Sequence, residues 1–221
     1  YAVSCLEADY VIIANPDIHV PPRCIRRVKD ALDKTQGAVA ASARVKDPMG
    51  GELFSYWTLL PLWKDLLDTG LVTRRLFKAM LNTPSYRLAY AGDEDCRLVD
   101  AVPGSFFMLK TGILTPGEIK EVFDKHIFLY YEEKVLGQKF RKMGLKTVLV
   151  TDESYVHAHS VSIDKSFKRI VDKQRLLHRS KLYYYKEYLG TGPAGMAAAR
   201  AVLGLVLAEV WFLTVVCRMR W

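Results

Sequence analysis

The sequence predicts a mixed α/β domain, and three stretches carry that prediction. Tyr10-Val-Ile-Ile-Ala14 is a short β-rich run that leads through Pro21-Pro22 into a segment where Ile25, Val28, Ala31 and Leu32 recur at helical spacing. A strand feeding a helix is the repeating unit of α/β folds, and proline suits a helix start because its missing N–H would have no partner there. Ala38–Val45 resembles a second, buried strand, bounded by Gly37 and the turn-rich Lys46-Asp-Pro-Met-Gly-Gly51. Tyr131–Met143 is again helical in pattern, with Val135, Leu136 and Phe140 on one side and Gly144 placed to stop it, and Lys146–Thr151 follows as a strand.

The remaining elements fall between and after these. Phe54–Leu81 is mostly helical in pattern, interrupted by Pro61 and Gly70, and suits a wall or lid. Arg87–Tyr90 and Arg97–Val102 flank Gly92-Asp-Glu-Asp95 and predict a hairpin; Ser105–Lys110 predicts another strand after Pro103-Gly104. Asp164–Leu189 reads as a long basic helix with tyrosines at 183, 184, 185 and 188. Past Gly190-Thr-Gly-Pro193 the composition shifts, and Ala201–Cys217 is nearly continuous apolar sequence, broken by Glu209 and closed by Arg218 and Arg220.

With 221 residues, half of them apolar, the chain can build one large domain with a full core. Its net charge of +8 suggests an anionic partner such as phosphate, an acidic membrane surface or nucleic acid. No nucleic-acid motif accompanies the lysines, arginines and tyrosines of 164–189, so nucleic acid is not an expected partner. Cysteines at 5, 24, 96 and 217 form no Cys-x-x-Cys, which speaks against a zinc ribbon or a disulfide framework and fits a reducing cytoplasm. The apolar tail is at the short limit for a bilayer span and has a charge in its middle, so an interfacial or core-packed helix is expected. The chain enters almost at once a strand that looks internal to a fold, and a missing N-terminal part is expected.

The candidate chemistry lies in three places. Glu132 and Glu133, in Phe128-Leu-Tyr-Tyr-Glu-Glu-Lys134, open a helix after an aromatic run, where a carboxylate could serve as a general base. Asp17 ends the run Tyr10-Val-Ile-Ile-Ala-Asn-Pro-Asp17, an acid where a buried strand would surface, and His157 lies in Tyr155-Val-His-Ala-His-Ser160. Together they read as a metal and phosphate site beside a base. Each has a plainer alternative: Asp17 as a turn or cap residue, Glu132 and Glu133 as first-turn acids favoured by the helix dipole, and His157 as a structural histidine with His159 as its understudy. Asp93, Glu94, Asp95 and Asp100 read first as solvated hairpin charges.

These residues resemble the inverting family-two glycosyltransferases of GT-A (Rossmann-like) fold, and especially their rhamnosyltransferase-like branch. Asn15-Pro-Asp17 looks like the family's form of the Asp-x-Asp motif, and Val102-Pro-Gly-Ser-Phe-Phe-Met-Leu109 resembles its Gly-containing acceptor-side strand. Phe123-Asp124 with Phe128-Leu-Tyr-Tyr-Glu-Glu133 resembles its Phe-Asp-Glu, Phe-Phe, Tyr-x-Glu-Asp run, and His157 with Ser162 resembles its closing His and Ser. Two features depart from the pattern. Glu132-Glu-Lys-Val-Leu136 replaces Glu-Asp-x-Asp-Leu, making the base a longer glutamate and losing the later aspartate; the family's first βαβ portion has no counterpart before Tyr1.

The resemblance implies a metal-assisted transfer, with inversion, of a sugar such as rhamnose. The donor would be a nucleoside-diphosphate sugar and the acceptor a polysaccharide or polyprenyl-linked glycan, at the inner face of the cytoplasmic membrane, where the protein would be peripheral. Asn15 and Asp17 would hold the donor diphosphate, Asp17 and His157 a divalent cation, Mn2+ or Mg2+, and Gly104, Ser105 and Asp100 would face the acceptor. Glu133 would be the base, beside Glu132. On this reading residues 1–162 are the C-terminal part of an N-terminally incomplete catalytic domain, 163–190 a basic helical extension, and 191–221 an apolar C-terminal helix. Two other classes stay open: a transferase-like domain that binds sugar or nucleotide without turnover, and a basic membrane-surface module.

Overall fold

The structure is a computed structural model that describes residues 7–77, 81, 95–127, 129–158 and 170–218. In chain order these form β1 (Tyr10–Ala14), β2 (Ile18–His19), α1 (Pro22–Lys34), β3 (Ala38–Lys46), α2 (Leu62–Leu67), α3 (Leu71–Leu76), β4 (Cys96–Val99) and β5 (Phe106–Lys110). After a short 3-10 turn come α4 (Pro116–Glu121), α5 (Glu132–Lys142), β6 (Lys146–His157), α6 (Ile170–Glu187) and α7 (Pro193–Trp211), which runs into a π-helical turn, Phe212–Val216. The fold is therefore mixed α/β, as expected. Its described residues fall into two compact units, 7–59 with 95–126 and 132–158, and 60–77 with 81, 127, 129–131 and 170–218.

The first unit is a six-stranded mixed sheet in the order β1-β5-β3-β6-β2, with β4 also paired to β6. β3 and β6 are parallel, while β5 is antiparallel to both β1 and β3. It follows that β1, β3 and β6 all point the same way. β3 is buried along most of its length because both faces of the sheet are covered. Ala41, Ala43 and Val45 join Val28, Leu32 and Phe106 in the core under α1, and Val39 and Ala40 join Leu109, Leu136 and Phe140 in the core under α5. The apolar spacing of α1 predicted this packing: Val28, Ala31 and Leu32 are buried, with Pro22 in its first turn.

The pairing of β6 with β3 shifts register twice, between Ala38 and Ala40 and again after Ala43. Ala43 faces Val150, but Arg44 faces Ser154, so residues 151–153 bulge out of register. The bulge is occupied by acids that meet α1: Asp152 pairs with Arg27 at 2.8 Å and Glu153 with Arg23 at 2.6 Å. Beyond the bulge the strand resumes and continues to His157, longer than the predicted 146–151 because two of the bulged side chains are bound to α1.

Two elements differ from expectation. The stretch from Phe54 is not helical until Leu62, because Trp57 makes an isolated antiparallel bridge with Ala101, exchanging both backbone hydrogen bonds. Pro61 and Gly70 turn out to be the N-caps of the short helices α2 and α3, so the interruptions mark starts. Residues 97–99 do form a strand, but its partner is β6, with Cys96 opposite Val150 and Val99 opposite Thr147; the other arm of the expected hairpin lies outside the described residues.

The second unit is helical, and α7 packs on α6 through a stripe of Met196, Ala199, Leu203, Val206 and Val210. At its centre Asp65 and Lys181, 1% and 5% exposed, form an ion pair at 3.0 Å. Tyr131 and Tyr185 donate their hydroxyls to the same Asp65 oxygen at 2.5 and 2.6 Å, and Lys181 also donates to Thr69. The predicted basic helix is present from Ile170 to Glu187; its expected start at Asp164 lies outside the described residues.

Candidate functional site

Backbone pairing brings the sequence-predicted residues together at one end of the sheet. Asn15 leaves the carboxyl end of β1 and donates its N–H to the Ser105 carbonyl at 2.8 Å, which places the Asn-Pro-Asp turn against the entrance of β5. Ser105 in turn shares a 2.7 Å hydrogen bond with the Tyr155 hydroxyl. β2 pairs antiparallel with the end of β6, so Ile18 sits opposite His157, and Ala158 donates its N–H to the Asp17 carbonyl at 3.0 Å. Asp17 Oδ1 consequently lies 3.3 Å from His157 Nε2. On the other side of Ser105, the Gly104 N–H points to Glu133 Oε1 at 3.4 Å, a long contact. A continuous path of contacts thus runs from Glu133 through Gly104, Ser105 and Asn15 to Asp17 and His157. It lies at the carboxyl ends of the parallel strands β1 and β6, where open α/β sheets place their ligands.

The carboxylate pair is electrostatically unusual. Glu132 and Glu133 begin α5, yet their carboxyl groups are enclosed rather than spread into water. A cavity of about 10 Å³ lies beside Glu133, walled by Ala40, Ala101, Val102, Phe107, Leu136 and Phe140. Loss of water raises the pKa of both groups. For Glu132 the neighbouring Glu133 charge adds to burial and pushes it up to about 8, and its Oε2 has no hydrogen-bond partner among the described residues. Backbone N–H groups, including that of Gly104, and the Lys134 charge work in the opposite direction on Glu133. Burial thus favours the protonated form of both carboxyls, and the hydrogen bonds and Lys134 charge that oppose it act on Glu133.

The backbone entering this pair is strained. Tyr130 and Tyr131 both have left-handed φ, 66° and 73°, a region that costs a bulky residue of order 1–3 kcal/mol and persists only when the surroundings fix it. Tyr131 is fixed within the second unit by its hydroxyl bond to Asp65, by an edge contact with Tyr184 and by the Lys181 ammonium 5.0 Å from its ring centre.

Asp100 is built into the scaffold. One carboxylate oxygen accepts the Leu59 N–H at 2.8 Å and the other meets Arg141 at 2.6 Å. Its carbonyl oxygen approaches Gly137 of α5 so closely that a Cβ there would come within 2.4 Å. Of the other hairpin acids, Asp95 pairs with Arg27 at 3.4 Å, while Asp93 and Glu94 lie outside the described residues, as do Phe128, His159 and Ser162.

For a cation the arrangement offers two ligands. No group of three or more His, Cys, Asp or Glu side chains comes together among the described residues. Asp17 Oδ1 is nonetheless a buried carboxylate oxygen with no aligned hydrogen bond among them, although close enough to His157 for an ion pair. A hard divalent cation fits such an oxygen, and an imidazole beside it favours Mn2+ over Mg2+. Tyr155 is a contributor that the motif reading missed. It shares the face of His157 two residues on, and that alternation was the available signal. Neither a protein-family model nor a curated protein matches this chain.

Proposed function

We propose that this chain carries the acceptor-activating part of an inverting, metal-assisted glycosyltransferase with a GT-A arrangement. Its donor would be a nucleoside-diphosphate sugar, and its acceptor a hydroxyl on a growing or lipid-linked glycan. The observation that supports this reading is the path of contacts from Glu133 to Asp17, which puts a desolvated carboxylate and a diphosphate-suited acid at the same end of one sheet. Glu133, enclosed and acting as the carboxylate, takes the proton of the acceptor hydroxyl as that oxygen attacks the anomeric carbon from the face opposite the diphosphate. The C–O bond to phosphate breaks as the new C–O bond forms, so configuration inverts without a sugar-enzyme intermediate. Glu132, kept neutral, avoids a second negative charge beside the base and can donate a hydrogen bond. Asn15 and Asp17 would hold the diphosphate end, and Asp17 with His157 would hold a divalent cation. When bound, the cation supplies Lewis-acid stabilisation of the departing diphosphate. Gly104 leaves room beside the carboxylates, with Glu133 Oε1 3.4 Å from where a Cβ would stand. Asp100 acts by positioning α5.

The test is transfer. The chain, alone and within its full coding sequence, is supplied with Mn2+, a panel of nucleoside-diphosphate sugars and polyprenyl-linked or glycan acceptors, and nucleoside diphosphate release is followed. Release that depends on acceptor, with an inverted product, supports the proposal. Saturable nucleotide binding without release in either form makes this a non-catalytic binding domain, and indifference to all nucleotides sinks both.

A further inference from the structure

We propose that α7 with its π-helical end, together with α3, forms a docking surface for an anionic lipid bilayer, with α7 lying in the plane of the interface. α7 is apolar on two opposite sides. One stripe, Met196 to Val210, is buried on protein. The other follows the same alternating three- and four-residue spacing through Ala201, Leu205, Ala208, Phe212 and Val215, and it is bare: Leu205, Phe212 and Val215 are 71%, 51% and 54% exposed, with Trp211 beside them at 51%. A helix on a water-exposed surface normally carries polar side chains on its outer face. In the same unit, α3 repeats the pattern on a small scale, exposing Val72 and Leu76 around Arg74 and Arg75.

Glu209 is the feature that argues against lipid contact in the sequence, and the structure accounts for it. Its carboxylate accepts the N–H groups of Leu71 and Val72 at 3.3 and 3.1 Å, capping α3 and fastening that helix to α7. The acid is thereby turned to the backbone of α3. Asp68 is paired with Arg74, and Asp65 is sealed against Lys181. Arg75, Arg200 and Arg218 are exposed and make no ion pair among the described residues. The surface is thus apolar at its middle and cationic at its margins.

That charge pattern selects the occupant. A second copy of the same face would set arginine against arginine with no exposed, unpaired acid among its described residues to meet it, whereas anionic headgroups match it and the acyl boundary takes Leu205, Phe212 and Val215. Pro193–Val216 is long and apolar enough to cross a membrane, but one side is already packed on α6 and another is tied to α3 by Glu209, so an in-plane seat leaves these contacts intact. The proposal stands on the second unit alone and does not depend on sugar transfer.

The experiment is co-sedimentation of the full chain with vesicles of phosphatidylcholine alone or with one third phosphatidylglycerol, without nucleotide sugar. Binding to the anionic vesicles, weakened by salt and released by alkaline carbonate, is expected. The triple variant Leu205→Ser, Phe212→Ser, Val215→Ser changes only exposed side chains and should weaken partitioning by about tenfold or more. Arg75→Gln with Arg218→Gln should weaken it chiefly at low ionic strength. Circular dichroism of each variant establishes that it is folded. Undiminished binding of the folded triple variant overturns the proposal. So does concentration-dependent dimerisation without vesicle binding, which would assign the face to a second copy, or resistance to carbonate, which would make α7 a span.

Discussion

Asp17 and His157 stand 3.3 Å apart, carboxylate to imidazole, although 140 residues of chain separate them. The pairing of Ile18 with His157 and the Ala158 N–H bonded to the Asp17 carbonyl bring them together. Since the backbone holds this arrangement, the side chains can be altered without dismantling it.

Asp17→Ala should therefore leave the melting temperature nearly unchanged. On the proposed mechanism it should lower Mn2+-dependent turnover of nucleotide sugar by at least about tenfold, the scale on which weakened metal sites lose activity. Thermal melts and steady-state rates with and without Mn2+ check both halves. A normal rate in the variant removes Asp17 from the mechanism.

Glu133→Gln keeps shape and hydrogen bonding but accepts no proton, so transfer should fall by roughly a hundredfold or more while donor binding persists. Glu132→Gln should matter less, because Glu132 is already neutral at pH 7. If the two variants exchange behaviour, the base is Glu132.

Titration of the same pair links to stability. Glu132 binds its proton more tightly folded, up to about 8, than an ordinary carboxylate near 4.5. Between those two values the folded state holds more protons than the unfolded chain, so its contribution to stability is full at low pH and is lost as pH rises from about 4.5 through 8. Denaturant midpoints measured from pH 5 to 9 should decline along this window, and Glu132→Gln should flatten the decline.

Asp65→Ala should cost about 3–5 kcal/mol, as removal of one partner strands the buried ammonium of Lys181. Replacing both residues with apolar ones of similar size should cost less. Urea titration of the single and double variants separates these outcomes, and equal losses would mean the pair is not the source of the effect.

Gly137→Ala should destabilise by about 1–3 kcal/mol even though alanine is the better helix former. The added methyl would meet the Asp100 carbonyl at 2.4 Å, and that oxygen belongs to backbone that Arg141 and Leu59 hold in place. A neutral or stabilised variant would show that this segment yields readily.

The fold was legible wherever a segment's own pattern decided it. α1 emerges from periodicity because it is fixed by one apolar face, β3 from a short run of small apolar residues buried on both faces, and α5 from Val135, Leu136 and Phe140. The region after Phe54 was misread because a single bridge to Ala101 overrides its helical spacing, and no local residue announces a partner so far along the chain. Motif order pointed to Glu133, Asp17, Gly104 and Ser105 as neighbours, and backbone pairing joins them. What spacing alone did not reveal was the commitment of Asp100 to Leu59 and Arg141, or of Glu209 to α3, because a carboxylate's partners are set by tertiary approach.

The bulge at 151–153 resets the alternation of β6. Val150 and Tyr155 lie five residues apart, an odd step that would put them on opposite faces of a regular strand, yet both enter the core under α1. The face of Tyr155 and His157 is therefore set by pairing beyond the bulge, Tyr155 with Val45 and His157 with Ile18. Length changes confined to 151–153 should accordingly be absorbed in odd as well as even steps, leaving Tyr155 with Ser105 and His157 with Asp17, at the cost of the ion pairs to Arg27 and Arg23.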